Sequence, residues 1–324
     1  MVNLFYLSGN TTGGWVTYTS HLMYGFNTCK RNCQLFKVGN NTENKTRKFG
    51  YGLDYRNLSL EDAVAMVKTG PTVIVALQKN FREKAQAVLE AGAWMVVHDP
   101  AEFANLKLTE SDKYITIRRQ VHNQIPSSTL ILHPYSRRYK PNDAVLKTVG
   151  ACSICRIDFD KNTHILLEAN RLLPEANKIQ IHGFENRLYT RFKLCPAFPE
   201  WEQSKAHYPR EKEAAVNICR KAIYAVDMSL IKGDGGGTQY SFLEAMDGSC
   251  VNVIHKGWIK QGDEMVAAGP NQNCIAVADS KELVEVLKAR NVELQQRIVE
   301  NSNKLLARHE AGKIALQFSN VIHQ

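Results

Sequence analysis

The sequence lacks any long apolar run, although it has 324 residues. Its longest uninterrupted apolar stretches, around residues 72–77 and 91–97, are far shorter than the ~20 residues that a membrane-spanning helix needs. The amino terminus has no basic lead-in before the apolar residues 4–7, which is typical of a first strand and not of a signal peptide. We therefore expect no membrane span and a cytoplasmic protein.

A dense cysteine framework is also missing. The eight cysteines are scattered along the chain, as expected where thiols stay reduced. One alternative is a zinc site in which Cys152 and Cys155 join Cys29 and Cys33. Because there is no second C-x-x-C pair, the spacing disfavours this site. The sequence thus predicts neither a metal nor a bound cofactor.

Acidic residues are scarce in the first part of the chain. Up to Lys140 there are 18 Lys plus Arg against 10 Asp plus Glu, whereas the remainder has 23 against 22, so the first part holds +8 of the total +9. An excess of positive charge in one part of the chain favours an anionic partner: nucleic acid, an anionic membrane surface or a phosphorylated substrate. We assign Arg118, Arg119, Arg137 and Arg138 to acceptor binding. The alternative is that these are solvated positions that only aid solubility.

Apolar segments of strand length alternate with helical patterns on both sides of a polar, proline-containing stretch at 134–142. This alternation is typical of parallel sheets covered by helices. The chain also exceeds the ~250–300 residues at which single cores stop growing. We therefore predict an α/β fold with two Rossmann-like lobes whose parallel sheets face a central cleft. The predicted parts are a basic lobe at 1–140, a second lobe at 141–300, and a helix at 301–324 that packs back on the first lobe.

Within the second lobe, the pattern predicts a helix over 211–225 followed by a strand over 228–231.

Two turns of the first lobe carry polar or glycine residues where a strand ends. Gly13 and Gly14 open the first helix, where bare N–H groups can meet phosphate or sugar oxygens; a plain strand-to-helix turn is the alternative. His98 and Asp99 follow the apolar residues 94–97. A histidine there can bond to a hydroxyl or carry a proton near neutral pH. The alternative is that Asp99 caps the next helix while His98 is simply exposed.

A third turn, after the first strand of the second lobe, contains two cations. Arg156 and Lys161 at this spacing near a helix start would neutralise a diphosphate, Arg as a fork and Lys as a point charge. Asp158 and Asp160 also match the short D-x-D pattern of metal-dependent sugar transferases. The simpler interpretation is that these acids offset the neighbouring cations.

The fourth turn is a triple glycine that precedes a helix. Gly236, Gly237 and Thr238 give a loop whose N–H groups can accept an anion at a helix start. Glu244 lies five residues after Gln239, where its carboxylate can accept two hydrogen bonds from a ribose diol. A glycine-rich linker before an ordinary amphipathic helix is the alternative.

Taken in order, these pieces resemble a retaining glycosyltransferase of the GT-B type over nearly the whole chain. The resemblance implies a nucleoside-diphosphate sugar as donor, in particular a UDP-sugar, bound mainly by the second lobe. It implies that Arg156 and Lys161 stabilise the diphosphate leaving group without a metal, that Glu244 holds the ribose, and that His98 contacts the donor sugar.

The chain departs from the family at one donor-binding position. The family often has a first glutamate eight residues before the second, where this sequence has Gly236. Asp234 is one candidate to replace this glutamate in binding the donor sugar. The other is the loop amides together with Gln239.

The acceptor is indicated by His98 and Asp99, which follow a Val-Val strand end and resemble the corresponding segment of the phage DNA α-glucosyltransferases. That resemblance implies transfer to hydroxymethylated bases of double-stranded DNA, in agreement with the basic first lobe. One alternative is a glycosyltransferase acting on lipid or surface polysaccharide. Another is a non-catalytic nucleic-acid-binding protein whose sugar site has decayed at Gly236. No feature demands a second subunit.

Overall fold

The structure is a computed structural model that describes residues 1–10, 13–39, 46–48, 52–103, 106, 113–140, 146–203, 214–230, 239–261 and 272–323. The chain divides into two compact units. The first unit comprises Met1–Arg137 and Arg308–Gln324, and the second comprises Arg138–Lys232 and Gly236–Ala307.

The strands, in chain order, are β1 Val2–Leu7, β2 Cys33–Val38, β3 Thr46–Lys48, β4 Asp54–Leu58, β5 Thr72–Leu77, β6 Trp94–Val97, β7 Lys113–Thr116, β8 Thr129–Leu130, β9 Val149–Ile154, β10 Ile179–His182, β11 Ala222–Asp227, β12 Val251–His255 and β13 Cys274–Val277. The helices are α1 Gly14–Thr28, α2 Leu60–Val67, α3 Arg82–Glu90, α4 Pro100–Phe103, α5 Arg119–Gln124, α6 Thr163–Leu172, α7 Arg187–Tyr189, α8 Cys195–Ala197, α9 Ala214–Lys221, α10 Tyr240–Asp247, α11 Ser280–Ala289, α12 Val292–Leu306 and α13 Ala311–Ile322.

The first unit is built on an eight-stranded sheet in the order β3-β4-β2-β1-β5-β6-β7-β8. Its strands pair in parallel, except that β3 and β4 are antiparallel. Every residue of β1 and β5 is buried, which explains why both strands are nearly continuous apolar runs. The strand order reverses between β1 and β5, so the loops after these two strands leave the same edge of the sheet side by side.

The end of the chain completes the first unit, because α13 packs along α1. Phe26 and Phe318 meet edge to face with ring centroids 6.1 Å apart. The Glu310 carboxylate caps α13 by accepting the N–H groups of Gly312 and Lys313 at 2.9 Å each. Gly25 is buried in α1, and a Cβ at this position would lie 2.1 Å from the carbonyl oxygen of Ala311. The close approach of the two helices therefore requires glycine at position 25.

The second unit contains a five-stranded sheet in the order β10-β9-β11-β12-β13, and all of its pairs are parallel. Its core is formed by apolar residues of the central strands and of the helices α6, α11 and α12, among them Val226, Val253, Leu166, Leu283 and Ile298. The strand order reverses between β9 and β11. In open α/β sheets this reversal is where ligands bind, beyond the carboxyl ends of the strands.

The sequence prediction of a helix over 211–225 and a strand over 228–231 was wrong. Helix α9 ends at Lys221, and β11 begins at the next residue. The side chains of β11 are buried or half-buried along its whole length, as expected for a strand that lies between β9 and β12 in a parallel sheet. The helix passes into the strand without an intervening glycine or proline, so the local sequence contains no signal for the boundary.

No helix among the described residues is long and apolar enough to cross a membrane.

The contact of α1 with α13 gives a test of the packing of the first unit. Gly25→Ala places a methyl group against the Ala311 backbone, and we expect it to lower the free energy of unfolding by about 1–3 kcal/mol, as overpacking does in other cores. Urea unfolding followed by circular dichroism measures this change. Gly39→Ala is the matched control, because no atom lies within 4 Å of the added Cβ. Equal midpoints for the two variants would contradict the packing described here.

Candidate functional site

In the second unit, hydrogen bonds join the loops that follow β9 and β11. The side-chain amide of Asn162 donates to the carbonyl oxygen of Met228 at 3.0 Å, and the N–H of Leu230 donates to the carbonyl oxygen of Asp160 at 2.9 Å. Asn162 adopts a left-handed conformation with φ 49° and ψ 40°, which asparagine tolerates better than most residues. The loop with the predicted diphosphate-binding cations is therefore fixed at the reversal point of the sheet.

The two cations of this loop converge on one carboxylate. Arg156 lies 3.6 Å from Oδ2 of Asp160, and Lys161 lies 3.9 Å from the same oxygen. Arg156 also donates to Oδ2 of Asp158 at 2.9 Å. The Arg156 side chain is 64% exposed, whereas that of Lys161 is 18% exposed. One cation thus faces water and the other is set deeper, and both are within reach of a single anionic group.

The carboxylates of Asp158 and Asp160 have protein partners. Asp158, which pairs with Arg156, also accepts the main-chain N–H of Phe159 at 2.8 Å and the side-chain amide N–H of Asn186 at 2.9 Å. These contacts favour the interpretation in which the acids offset the cations over the one in which they bind a metal. Among the described residues, no group of three or more His, Cys, Asp or Glu side chains is arranged to hold a metal ion.

Glu244 lies on α10, one turn after the helix begins. Its carboxyl is half-buried and makes no hydrogen bond or ion pair with any described residue. Burial, followed by the charge of Asp247 one turn further on, raises the pKa of Glu244 to about 8. Such a group has both oxygens available for a ligand, and a ligand that donates hydrogen bonds would favour its ionised form.

The start of α10 lies close to the ends of β9 and β11. A cavity of about 20 Å³ is lined there by Ile154 of β9, Asp227 of β11, and Ser241 and Phe242 of α10, together with four further neighbours. This volume holds a single water molecule. The cavity marks the point at which three elements come together: β9, whose following loop carries Arg156 and Lys161; β11; and α10, which carries Glu244.

Part of the predicted donor site cannot be placed in this geometry. Gly236, Gly237 and Thr238, as well as Asp234, lie outside the described residues. Gln239 is half-buried and immediately precedes α10 in an extended conformation, with no side-chain cap on the helix.

In the first unit, Gln78 joins the loops that follow β1 and β5. Its side-chain oxygen accepts the N–H of Gly9 at 2.8 Å and the hydroxyl of Ser8 at 3.2 Å. Gly13 has φ 96°, a conformation that favours glycine, and it leads into α1 at Gly14. Among the described residues, no side chain caps the start of α1, where the first N–H groups of a helix lack partners within the helix and can bind a ligand.

His98 follows β6 and is held in one orientation. Its Nε2–H donates to the carbonyl oxygen of Val75 at 2.9 Å, which leaves the lone pair on Nδ1. The ring of Tyr18 packs edge-on against it with centroids 4.8 Å apart. Burial lowers the pKa of His98 to about 3. The side chain is therefore neutral at physiological pH and offers Nδ1 as a hydrogen-bond acceptor, for example for a sugar hydroxyl.

Two carboxyl groups follow His98 in the chain. Asp99 accepts the N–H of Ala101 at 2.9 Å and thus caps α4, as the alternative interpretation of this residue has it. Glu102, which the sequence did not single out, is 4% exposed. It accepts the main-chain N–H of His98 at 2.5 Å and the indole N–H of Trp15 at 2.7 Å.

The four arginines assigned to the acceptor have different surroundings. Arg118 is half-buried, and its charge acts on Glu102 and His98. Arg119 is exposed at the first residue of α5. Arg137 ends the first unit and is half-buried, whereas Arg138 is exposed and begins the second. The N–H of Arg138 donates to Asp247 at 2.7 Å.

The two units, each with a parallel sheet and the strand-order reversal of a Rossmann-like domain, define a GT-B fold. Among solved structures, a DNA-bound α-glucosyltransferase with UDP-glucose matches with TM-score 0.69 and 12% identity, over 100% of this chain and 99% of the other. The structure of Anabaena HepE with UDP matches with TM-score 0.70 and 12% identity, over 99% of each chain. The α-glucosyltransferase bound to UDP matches with TM-score 0.70 and 12% identity, over 100% of this chain and 99% of that one.

No family model matches the sequence, and no curated protein matches it. The likeness to solved structures therefore confirms the predicted GT-B resemblance at the level of the fold.

The raised pKa of Glu244 predicts how stability depends on pH. Because the folded-state pKa of about 8 lies above the usual 4.5, the folded protein binds this proton more tightly than the unfolded chain does. The stabilisation is full below pH 4.5 and is lost as the pH rises through about 8. We expect Glu244→Gln to lose less stability than the wild type between pH 5 and pH 9, as measured by urea unfolding.

Glu168→Gln, which changes an exposed carboxyl on α6, is the control and should follow the wild-type pH curve. A Glu244→Gln curve parallel to that of the wild type would show that Glu244 titrates in its usual range.

Proposed function

We propose that this protein is a glycosyltransferase that moves a sugar from a nucleoside-diphosphate sugar, in particular a UDP-sugar, to a hydroxyl acceptor. The observation that carries the proposal is the convergence of Arg156 and Lys161 on one carboxylate oxygen of Asp160. This convergence lies where the strand order of the second sheet reverses, at the edge where ligands of such sheets bind. A cation pair at this edge suits an anionic ligand such as a diphosphate.

The diphosphate would bind to both cations in different ways. Arg156 presents a planar fork that matches two phosphate oxygens, whereas Lys161 acts as a compact charge. Because Lys161 is set deeper, water screens its charge less than that of Arg156. The structures of the α-glucosyltransferase and HepE with UDP support a uridine nucleotide as the donor.

The ribose and the sugar of the donor also have groups in the protein that can bind them. The carboxyl of Glu244, which makes no hydrogen bond to a described residue, accepts the two ribose hydroxyls. The amides and side chains of Gly236, Gly237, Thr238 and Gln239 bind the diphosphate or the sugar beside it. In the first unit, the open start of α1 at Gly13 and Gly14 and the lone pair of His98 Nδ1 contact the donor sugar.

In the proposed reaction, the bond between the anomeric carbon and the diphosphate oxygen breaks, the acceptor oxygen bonds to that carbon, and the acceptor's proton passes to the departing diphosphate. Negative charge builds up on the departing UDP, where Arg156 and Lys161 stabilise it more strongly than in the ground state. Asp99 remains a catalytic candidate next to His98. Retention of configuration and independence of metal are part of the proposal and are supported by the GT-B resemblance.

Removal of either cation tests the proposal. We expect Arg156→Ala and Lys161→Ala each to lower kcat for UDP-glucose hydrolysis by about 10²- to 10³-fold, the range found for single groups that stabilise transition-state charge. The assay measures UDP release without acceptor and in the presence of a chelator. Lys178→Ala removes a surface cation that pairs with Glu175 in the same unit, and it should retain full activity.

Wild-type protein that neither binds nor hydrolyses nucleotide sugars would favour the non-catalytic alternative. Near-normal rates for both alanine variants would contradict the roles of Arg156 and Lys161. Loss of activity on chelation would contradict the metal-free mechanism.

For the acceptor, we propose hydroxymethylated bases of double-stranded DNA. The support is the excess of positive charge before residue 141, together with the similarity in fold to α-glucosyltransferase complexes that contain DNA. An enzyme that acts on a base has to expose it from the duplex, and phosphate contacts by Lys and Arg would supply much of the binding free energy. Among the four acceptor-side arginines, Arg119 is exposed and lies in the basic first unit, and we propose it for such a contact.

We expect labelled glucose to be transferred from UDP-glucose to hydroxymethylated DNA, and neither to matched unmodified DNA nor to lipid extract. Affinity for DNA should fall linearly with the logarithm of salt concentration, and Arg119→Ala should reduce that slope by about one phosphate contact. Transfer to the lipid extract alone would contradict DNA as the acceptor and favour the lipid or polysaccharide alternative. The proposed donor and its binding residues would not be affected.

A further inference from the structure

Glu102 joins two parts of the first unit that are distant in the sequence. Its Oε1 accepts the indole N–H of Trp15, and its Oε2 accepts the main-chain N–H of His98. Trp15 is the second residue of α1, directly after Gly13 and Gly14, whereas His98 follows β6. A single carboxyl therefore sets the distance between the start of α1 and the end of β6.

The two contacts require a carboxylate. Both partners are N–H donors, and an ionised carboxylate is the side chain of this length that accepts at both of its ends. A glutamine would direct an NH₂ group at one of the two N–H groups, so one contact would be lost. Burial, followed by the charge of Asp99, raises the pKa of Glu102 to about 8, whereas the N–H groups of His98 and Trp15 and the charge of Arg118 favour its ionised form.

His98 is constrained on several sides as a result. Glu102 fixes its main chain, Val75 accepts its Nε2–H, and the ring of Tyr18 packs against its face. Its Nδ1 makes no hydrogen bond to a described residue. The direction of this one free acceptor thus depends on the carboxyl that also fixes Trp15.

We infer that Glu102 is a positioning residue for sugar transfer, which holds the start of α1 and His98 in the one geometry that orients the donor sugar. The inference rests on the proposed function, in which Gly13, Gly14 and His98 contact that sugar. Glu102 itself does not touch the reacting atoms. It acts on the chemical step through Trp15 and His98, and the nucleotide is held by residues of the second unit.

The test is a double-mutant cycle on UDP-glucose hydrolysis. We expect Glu102→Gln and Trp15→Phe each to lower kcat by about 10- to 100-fold, because small displacements of positioned groups have effects of this size. The Kd for UDP should stay within about twofold of wild type, since UDP binds to the second unit. The double variant should be no slower than the slower single variant, because both changes break the one link that Glu102 makes between Trp15 and His98.

Trp15→Phe removes only the indole donor and keeps the ring, so it serves if Glu102→Gln does not fold. Glu90→Gln, which changes an exposed carboxyl on α3 that accepts from Gln86, is the matched control and should retain wild-type kcat. In ¹H–¹⁵N spectra, the indole signal of Trp15 is identified by its absence from Trp15→Phe. In Glu102→Gln this signal should shift, and the indole proton should exchange faster with solvent.

Each outcome decides between the two claims. If the wild type turns over nucleotide sugars, three results would each overturn the positioning role alone. These are an unchanged kcat in both single variants, losses that multiply in the double variant, and an indole signal that does not move in Glu102→Gln. Absence of nucleotide-sugar turnover in the wild type overturns the proposed function and the role of Glu102 in transfer together.

Discussion

Parallel pairing of β9 with β11 is the constraint on which the geometry of the second unit depends. The register places Ala151 opposite Tyr224 and Cys152 opposite Ala225, and because both strands run in the same direction, their carboxyl ends reach the same edge. The loop with Arg156 and Lys161 therefore lies beside the loop that leads out of β11. A shift of the register by one residue would exchange the side chains on the two faces of β9, where residues 151–153 are all buried, and break the hydrogen bonds that join the two loops.

The loop after β9 holds its cations in place before any ligand arrives. Asp158 and Asp160 compensate Arg156 and Lys161 at short range, so the positive groups stay together despite their mutual repulsion. A diphosphate would then exchange one anionic partner for another, with little movement of the protein. Such preorganisation is the usual source of electrostatic rate enhancement. The same acids provide a physical reason for a D-x-D spacing that does not involve a metal.

The buried parallel strands could be predicted from the sequence because strands such as β1, β5 and β6 are short apolar runs. The edge strand β3 and its neighbour β4 could not, since Thr46–Lys48 and Asp54–Leu58 are largely polar. Local spacing was sufficient to propose that Arg156 and Lys161 act together. It could not reveal that Glu102 binds Trp15 or that Gln78 binds Gly9, because these partners lie 87 and 69 residues away in the sequence. Such contacts depend on the tertiary fold and leave no periodic pattern.

The contribution of α13 to the first unit also affects the order of events during synthesis. Domains generally fold as they emerge from the ribosome, beginning with the amino-terminal one. Here the partner that covers Phe26 and Gly25 is translated only after the entire second unit. The face of α1 that α13 covers therefore stays exposed until the end of translation, whereas the second unit has all of its strands before then. Chaperone contact during translation would accordingly concentrate on α1.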